Sequence, residues 1–280
     1  MMVFNYYYYL ALFFIVHSDY LFALPCYECD GIFLNYSIRS DQIPPPTGQG
    51  CKIATARSSC SVRVGWFPDG KSEILYTSDL GLPSDSVTAI IDRRVTTWSA
   101  EYATRRYIMY TCLPTNSTPC NTAENFERAL DSTTFPTDEQ LQKFDALIAP
   151  TTDFFGNSCS QESNATDCPE TNLASCQQCW GILQYSNDNT STCATCPPGK
   201  AITNFIEYSS TFLFNNKTRS DNIKFTCRKF GPCNSNDNLL KLKNTLNTQF
   251  NFDQFNHSNI ATASSLLMAI LLILSLRIFV

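Results

Sequence analysis

The sequence predicts a small disulfide-rich β fold, laid out as two copies of one cysteine framework with a partly helical linker between them. All fourteen cysteines lie from Cys26 to Cys233, none in either terminal segment. They fall into two sets of the same order: Cys26-x2-Cys29, Cys51, Cys60, Cys112 and Cys120-Asn121, then Cys176-x2-Cys179, Cys193, Cys196, Cys227 and Cys233-Asn234. Between them run short segments of alternating apolar and polar residues bounded by turn residues, the pattern of half-buried strands.

The elements follow in chain order. Residues 1–23 carry an apolar run, Leu10 to Val16, of the length of a secretory signal peptide, with cleavage expected after Ser18 or after Ala23. The first unit spans 24–121. Ser61 to Phe67 alternates, Pro68-Asp69-Gly70 turns, and Ser72 to Thr77 alternates again, which predicts a hairpin with a three-residue loop. Arg105 to Cys112 supplies a further strand. The linker, 122–158, has helical spacing of Phe126, Leu130, Leu141, Phe144 and Leu147, interrupted at Pro136. The second unit, 159–234, has strand-like runs at Ala201–Phe214 and Asn222–Cys227. A stalk with a short helix over Asn238–Leu246 is expected at 235–258. Residues 259–280 include the apolar run Ser264–Val280 with a single charge, Arg277, behind a polar, small-residue stretch. That is the composition of a GPI-anchor signal, with attachment at Asn256 or Asn259.

Fourteen cysteines behind a signal peptide imply seven disulfides made in an oxidising compartment. Short sheets of two or three strands bury too little to hold alone, so those bridges carry the fold. Asn-x-Ser/Thr acceptors begin at Asn35, Asn116, Asn164, Asn189 and Asn216, with a sixth at Asn256, and mark a glycoprotein. The spacing Cys176-x2-Cys179-x13-Cys193-x2-Cys196 is that of a four-thiolate zinc ribbon, but oxidation of these thiols favours disulfides, and no metal or cofactor is expected.

The two histidines, His17 and His257, both lie in processed or anchor-proximal sequence. The folded region therefore lacks the imidazole that nucleophilic triads and most general bases need. No enzymatic activity is expected. A formal charge of −5 with no long basic run argues against nucleic acid as a partner.

Leu24-Pro25-Cys26-Tyr27-Glu28-Cys29 with Cys120-Asn121, and Cys176-Gln177-Gln178-Cys179 with Cys233-Asn234, resemble the Ly6/uPAR superfamily, whose three-finger domains open on a Leu-x-Cys-x-x-Cys segment and close on Cys-Asn. Each set here has six cysteines and no Cys-Cys dipeptide, where the family usually has eight or ten. The resemblance implies two three-finger domains whose closing asparagines, Asn121 and Asn234, lock the base of the fingers. It implies the pairs Cys26–Cys60, Cys29–Cys51 and Cys112–Cys120, then Cys176–Cys196, Cys179–Cys193 and Cys227–Cys233, with Cys159–Cys168 as a local extra pair. The run Cys193-Ala194-Thr195-Cys196-Pro197-Pro198-Gly199 is also similar to TNF-receptor-like modules, an alternative for the second unit.

The expected function is that of a GPI-anchored glycoprotein on the outer face of the cell membrane that binds an extracellular or membrane protein. The resemblance implies modulation of a receptor or ion channel, in neuronal signalling among other settings. A structural or adhesive surface protein is the alternative. Candidate contact residues are Trp66, Phe67 and Tyr76 around the central hairpin, and Arg94, Trp98 and Arg105 in the third finger, since aromatic and Arg side chains anchor interfaces.

Overall fold

Strict alternation sets the two faces of the sheet. In β11 (Thr203–Leu213) every second residue is buried, so Asn204, Ile206, Tyr208, Ser210 and Phe212 point inward and their neighbours point out. The computed structural model describes residues 24–256, apart from 57, 79, 97–100, 115–117, 150–153, 155–157, 166–167, 173, 187–188, 199–202 and 230. The signal-peptide segment, Trp98, Asn116, Asn259 and the apolar tail lie outside the described residues. Among the described residues no helix is long and apolar enough to cross a membrane.

The N-terminal half comprises β1 (Leu24–Glu28), β2 (Ile32–Leu34), β3 (Lys52–Ala56), β4 (Cys60–Trp66), β5 (Ser72–Ser78), β6 (Ser86–Thr96) and β7 (Tyr102–Cys112). Three helices, α1 (Ala123–Asp131), α2 (Asp138–Gln142) and α3 (Asp145–Ile148), follow, with β8 (Thr133–Thr134) after the first. The C-terminal half comprises β9 (Cys179–Ser186), β10 (Asn189–Thr195), β11, β12 (Thr218–Cys227), α4 (Asn236–Thr245) and β13 (Gln249–Phe250), then a helical turn over 252–256. The Cys193 end of the Cys-Pro-Pro-Gly run is thus part of a sheet strand, β10.

Nine strands form one antiparallel sheet in the order β10-β9-β12-β11-β6-β7-β4-β5-β2, and β1 pairs with β3 beside it. The four strands β5-β4-β7-β6 of the first half reappear as β10-β9-β12-β11 in the second, in mirrored sequence along the sheet. The equivalent edges β6 and β11 meet antiparallel over eleven residue pairs, with Ile91 opposite Tyr208 at the middle. The short strands after the two long helices, β8 and β13, pair in the same way. Both contacts are isologous, the geometry of a two-fold dimer, here within one chain.

Two features mark this repeat at residue level. Asn121, fully buried, accepts from Tyr27 N and donates to the carbonyls of Tyr27 and Ser61. Asn234, also fully buried, accepts from Ser160 N and donates to the carbonyls of Ser160, Trp180 and Thr195. The next residue caps a helix: Thr122 accepts from Asn125 N and Ser235 from Asn238 N, while the Asn125 and Asn238 amides reach back to the carbonyls of Cys120 and Cys233. The motif is Cys-Asn-Thr/Ser-x-x-Asn in both halves.

These contacts correct the alignment of the cysteines. Tyr27 follows Cys26 as Ser160 follows Cys159, and Ser61 follows Cys60 as Trp180 follows Cys179. Cys159 is therefore the counterpart of Cys26, and Cys179 that of Cys60. The disulfides agree: Cys26–Cys60, Cys29–Cys51 and Cys112–Cys120 in the first half, and Cys159–Cys179, Cys168–Cys193, Cys176–Cys196 and Cys227–Cys233 in the second. The expected pairs Cys159–Cys168 and Cys179–Cys193 do not form. Cys179 opens the strand β9 and stands opposite Cys227 just as Cys60 stands opposite Cys112, so it belongs to the hub and is out of reach of a finger-loop partner. The four cysteines with zinc-ribbon spacing are all bridged.

One face of the sheet is covered. Val62, Val64, Ile74, Ile108 and Phe126 centre the core of the first half; Leu141, Ile148, Leu183, Ile206, Ile223, Phe225, Leu239 and Leu242 centre that of the second. The halves exchange cover. Helices α2 and α3 arise from the first half but pack under the second, tied by buried Arg93, whose guanidinium holds both carboxylate oxygens of Asp145 at 2.5 and 2.6 Å. In return Phe255 packs in the first core, stacked on Phe214 with ring centres 4.6 Å apart. The segment 235–256 is thus part of the body, in place of the projecting stalk its composition suggests: Leu239, Leu242 and Leu246 are fully buried.

Candidate interaction surface

The other face of the sheet has no helix over it among the described residues, although Cys193 and Thr195 on this face are buried against the segment around Cys168, and its two ends differ. On the first half, β4 and β5 are joined by Pro68-Asp69-Gly70. Gly70 has φ +77°, the left-handed conformation that closes a three-residue hairpin loop. Phe67 N donates to Lys71 O and Gly70 N to Phe67 O. A Lys71–Asp69 ion pair of 2.7 Å braces the tip, and the hydrogen bond from Lys71 holds the Asp69 carboxyl below its usual range. This hairpin fixes Phe67 at the end of the sheet.

Around Phe67 the open face gathers an aromatic and cationic cluster. Tyr107 meets it edge to face at 6.4 Å, lying across Gly65, where an added methyl group would come within 2.8 Å of the ring. The Arg105 guanidinium stands 5.8 Å from the Phe67 ring centre. Phe33, on the edge strand β2, is 74% exposed, and with Phe67, Pro68 and Arg105 it lines a groove of about 340 Å³. Arg105 forms no ion pair among the described residues. Its cross-strand neighbour Asp92 is taken by Arg94 Nε at 2.5 Å, and this bond keeps the Arg94 guanidinium protonated above its ordinary range. Across the seam the row continues as Glu207, opposite Asp92, and Lys224, opposite Glu207.

The six candidate contact residues therefore separate. Phe67 and Arg105 come together on the open face. Arg94 is exposed but committed to Asp92, with the Phe205 ring 5.9 Å away. Trp66 faces the covered side: its indole N–H donates to Ile38 O at 2.9 Å and its ring meets Phe135 edge-on at 6.0 Å. Tyr76 is a correction. It is 1% exposed, donates to Pro44 O at 3.0 Å, and burial pushes its phenol well above the ordinary range, so it is core and unavailable to a partner. Phe33 and Tyr107 were missed, although alternation in Arg105–Cys112 already puts Tyr107 on the face of Arg105.

The glycosylation acceptors lie around this surface. Asn35 follows β2 at one free edge of the sheet. At the other edge, Asn189 opens β10 and the Asn164 amide bonds Thr190 and Thr192 of the same strand. Asn216 sits in the β11–β12 turn and Asn256 is exposed at the end of the last helical turn. Edge strands are where sheets add further strands, and a bulky sugar there blocks that. No family model, curated protein or solved structure matches the chain.

Proposed function

We propose that the protein is a GPI-anchored, cell-surface glycoprotein of two three-finger-like, Ly6/uPAR-type units that binds an extracellular protein partner. The observation that carries this reading is the cluster of exposed Phe33, half-buried Phe67 and Arg105, which has no ion pair among the described residues, beside the tip of the central hairpin. An aromatic pair beside a guanidinium offers large contact area with a directed charge, the chemistry of interface anchors. It suits a partner segment that presents an apolar side chain next to a carboxylate.

Supporting the fold reading, each half has a Cys-Asn hub from which a β4–β5 or β9–β10 hairpin and a β6–β7 or β11–β12 hairpin project. The absence of any free cysteine among the described residues suits an oxidising compartment. Modulation of a receptor or channel is the role we assign to the binding. An adhesive role would use the same surface against other cells.

The test is crosslinking on expressing cells, followed by release with phosphatidylinositol-specific phospholipase C and identification of the released adducts. We expect one dominant adduct that falls at least about tenfold with Phe33→Ala or Arg105→Glu, given that interface anchors are worth about 2 kcal/mol or more. Retention of the protein on cells after phospholipase sinks the anchor. An adduct indifferent to both substitutions sinks the site.

A further inference from the structure

On the second half the open face carries no aromatic cluster. It carries two rungs of neutral polar residues that cross four strands: Ser191, Gln184, Asn222 and Ser209 in one, Asn189, Ser186, Ser220 and Thr211 in the other. Together they line a groove of about 540 Å³. Asp221, between them in sequence, turns its carboxylate to the covered side, where Arg219, Tyr208 and Ser210 hold it. The groove lining is thus mainly hydroxyls and amides, with the Tyr185 ring at its side and no exposed charge among its described side chains.

From this we propose that the groove is a saccharide site, and that its occupant is the glycan carried by Asn189 of the same chain. Hydroxyl and carboxamide groups both donate and accept, which matches the hydroxyls and N-acetyl amides of a neutral sugar. A peptide or a nucleic acid would call for apolar pockets or cationic side chains that the rungs lack. The Asn222 Oδ1 atom lies under the rung with no hydrogen-bond partner, and the exposed Gln184 and Ser220 side chains beside it are the groups a sugar hydroxyl reaches first. The acceptor residue is itself the first member of a rung. Asn189 is exposed on the outermost strand with its side chain on the open face, so a sugar bonded there starts level with Ser186, Ser220 and Thr211. Neighbouring strands are about 4.8 Å apart, and a disaccharide laid along the rung crosses to β11. The glycan then covers the second half of the face, while the Asn35 acceptor borders the Phe33–Phe67–Arg105 groove of the first.

This inference rests on the reading of the chain as a secreted glycoprotein. The full chain is produced in a secreting eukaryotic cell, treated under native conditions with a peptide N-glycosidase, and followed site by site by mass spectrometry. The Asn189 glycan should be released at least about tenfold more slowly than those at Asn35 and Asn216, corresponding to about 1.4 kcal/mol of seating. Denaturation before digestion should abolish the difference. Asn222→Ala and Ser220→Ala, on a half-exposed and an exposed position, should bring the Asn189 rate toward the others with the fold unchanged. As a second arm, chitobiose should bind the Asn189→Gln variant and not the wild type, whose groove is filled. Equal native release at the three sites, protection indifferent to the groove variants, or chitobiose binding to wild type and variant alike overturns the proposal. An unoccupied Asn189 beside occupied Asn35 and Asn216 overturns it while leaving secretion standing. Bare acceptors throughout overturn both.

Discussion

In the first half Asn121 ties the segments after Cys26 and Cys60 to the closing cysteine, and in the second half Asn234 does the same after Cys159 and Cys179. The strands fanned from these hubs have the same order. What the strands present differs: aromatic rings and an arginine with no ion pair among the described residues on the first open face, rungs of hydroxyls and amides beyond the Glu207–Lys224 pair on the second. The first loop differs as well, being a β1–β3 pair closed by Cys29–Cys51 in one half and, in the other, an irregular segment pinned to β10 by Cys168–Cys193 and to the residue after it by Cys176–Cys196. The frame is specified by buried polar contacts common to both halves, whereas the outward positions of the strands differ between them. Two surfaces of different chemistry can therefore stand on one repeated scaffold.

The largest effect that tests this comparison is at the cystines. Removing the hub bridge with Cys159→Ser and Cys179→Ser should cost about 3 to 5 kcal/mol, against about 2 to 3 for Cys168→Ser with Cys193→Ser, by denaturant unfolding. If the two cost the same, the hub is no more central than the loop. Asn121→Ala and Asn234→Ala should each cost about 3 kcal/mol, because each strands buried backbone groups of two or more segments. A large cost in one half alone would break the equivalence.

A smaller effect probes the first core by pH. Burial between Phe214 and Phe255 pushes the Tyr110 phenol up to about 12. A phenol raised in the folded state contributes stability that is complete below its ordinary value near pH 10 and is lost as pH rises through about 12, at most about 2.7 kcal/mol for two units. Unfolding at a series of alkaline pH values should show this loss in wild type and a shallower one in Tyr110→Phe. An unchanged slope would mean that Tyr110 ionises without opening the first core.

Smallest is the contrast between two strand glycines under aromatic rings. Gly181→Ala drives a methyl group into buried Phe225 and should cost about 1 to 3 kcal/mol. Gly65→Ala meets Tyr107 on the open face, where the ring has room to move. It should cost under about 1 kcal/mol in stability yet weaken crosslinking to the partner, because Tyr107 supports Phe67. Equal stability losses would show that Tyr107 is as fixed as Phe225.

Much of the frame was legible before any coordinates. Alternation located β4, β5 and β7, and the Cys-Asn pairs marked both hubs. The cysteine register of the second half was not, because Cys176-x2-Cys179 imitates the Cys26-x2-Cys29 opening. The discriminating signal lies after the cysteine: Cys179-Trp-Gly-Ile-Leu-Gln-Tyr begins a strand at once, as Cys60-Ser-Val-Arg-Val-Gly-Trp does. The seam was not legible either, since alternation assigns a residue to a face and says nothing of which edge strand it will neighbour. For the same reason Tyr76 read as a candidate contact: its period in β5 matches that of its strand partners, and only the β1–β3 side of the molecule determines that its face is closed.

The seam between β6 and β11 also sets an order of assembly. The hub of each half closes through contacts local to its own cystines, whereas Ile91 meets Tyr208 across 117 residues of chain. Pairings of such long sequence separation carry the largest loop-closure cost and form after local structure has reduced it. Until they form, both halves expose a long unpaired strand of β-branched and aromatic residues. We therefore expect the nascent protein to be most prone to self-association in the interval between closure of the first half's cystines and arrival of β11, a window that ends when the molecule becomes its own partner.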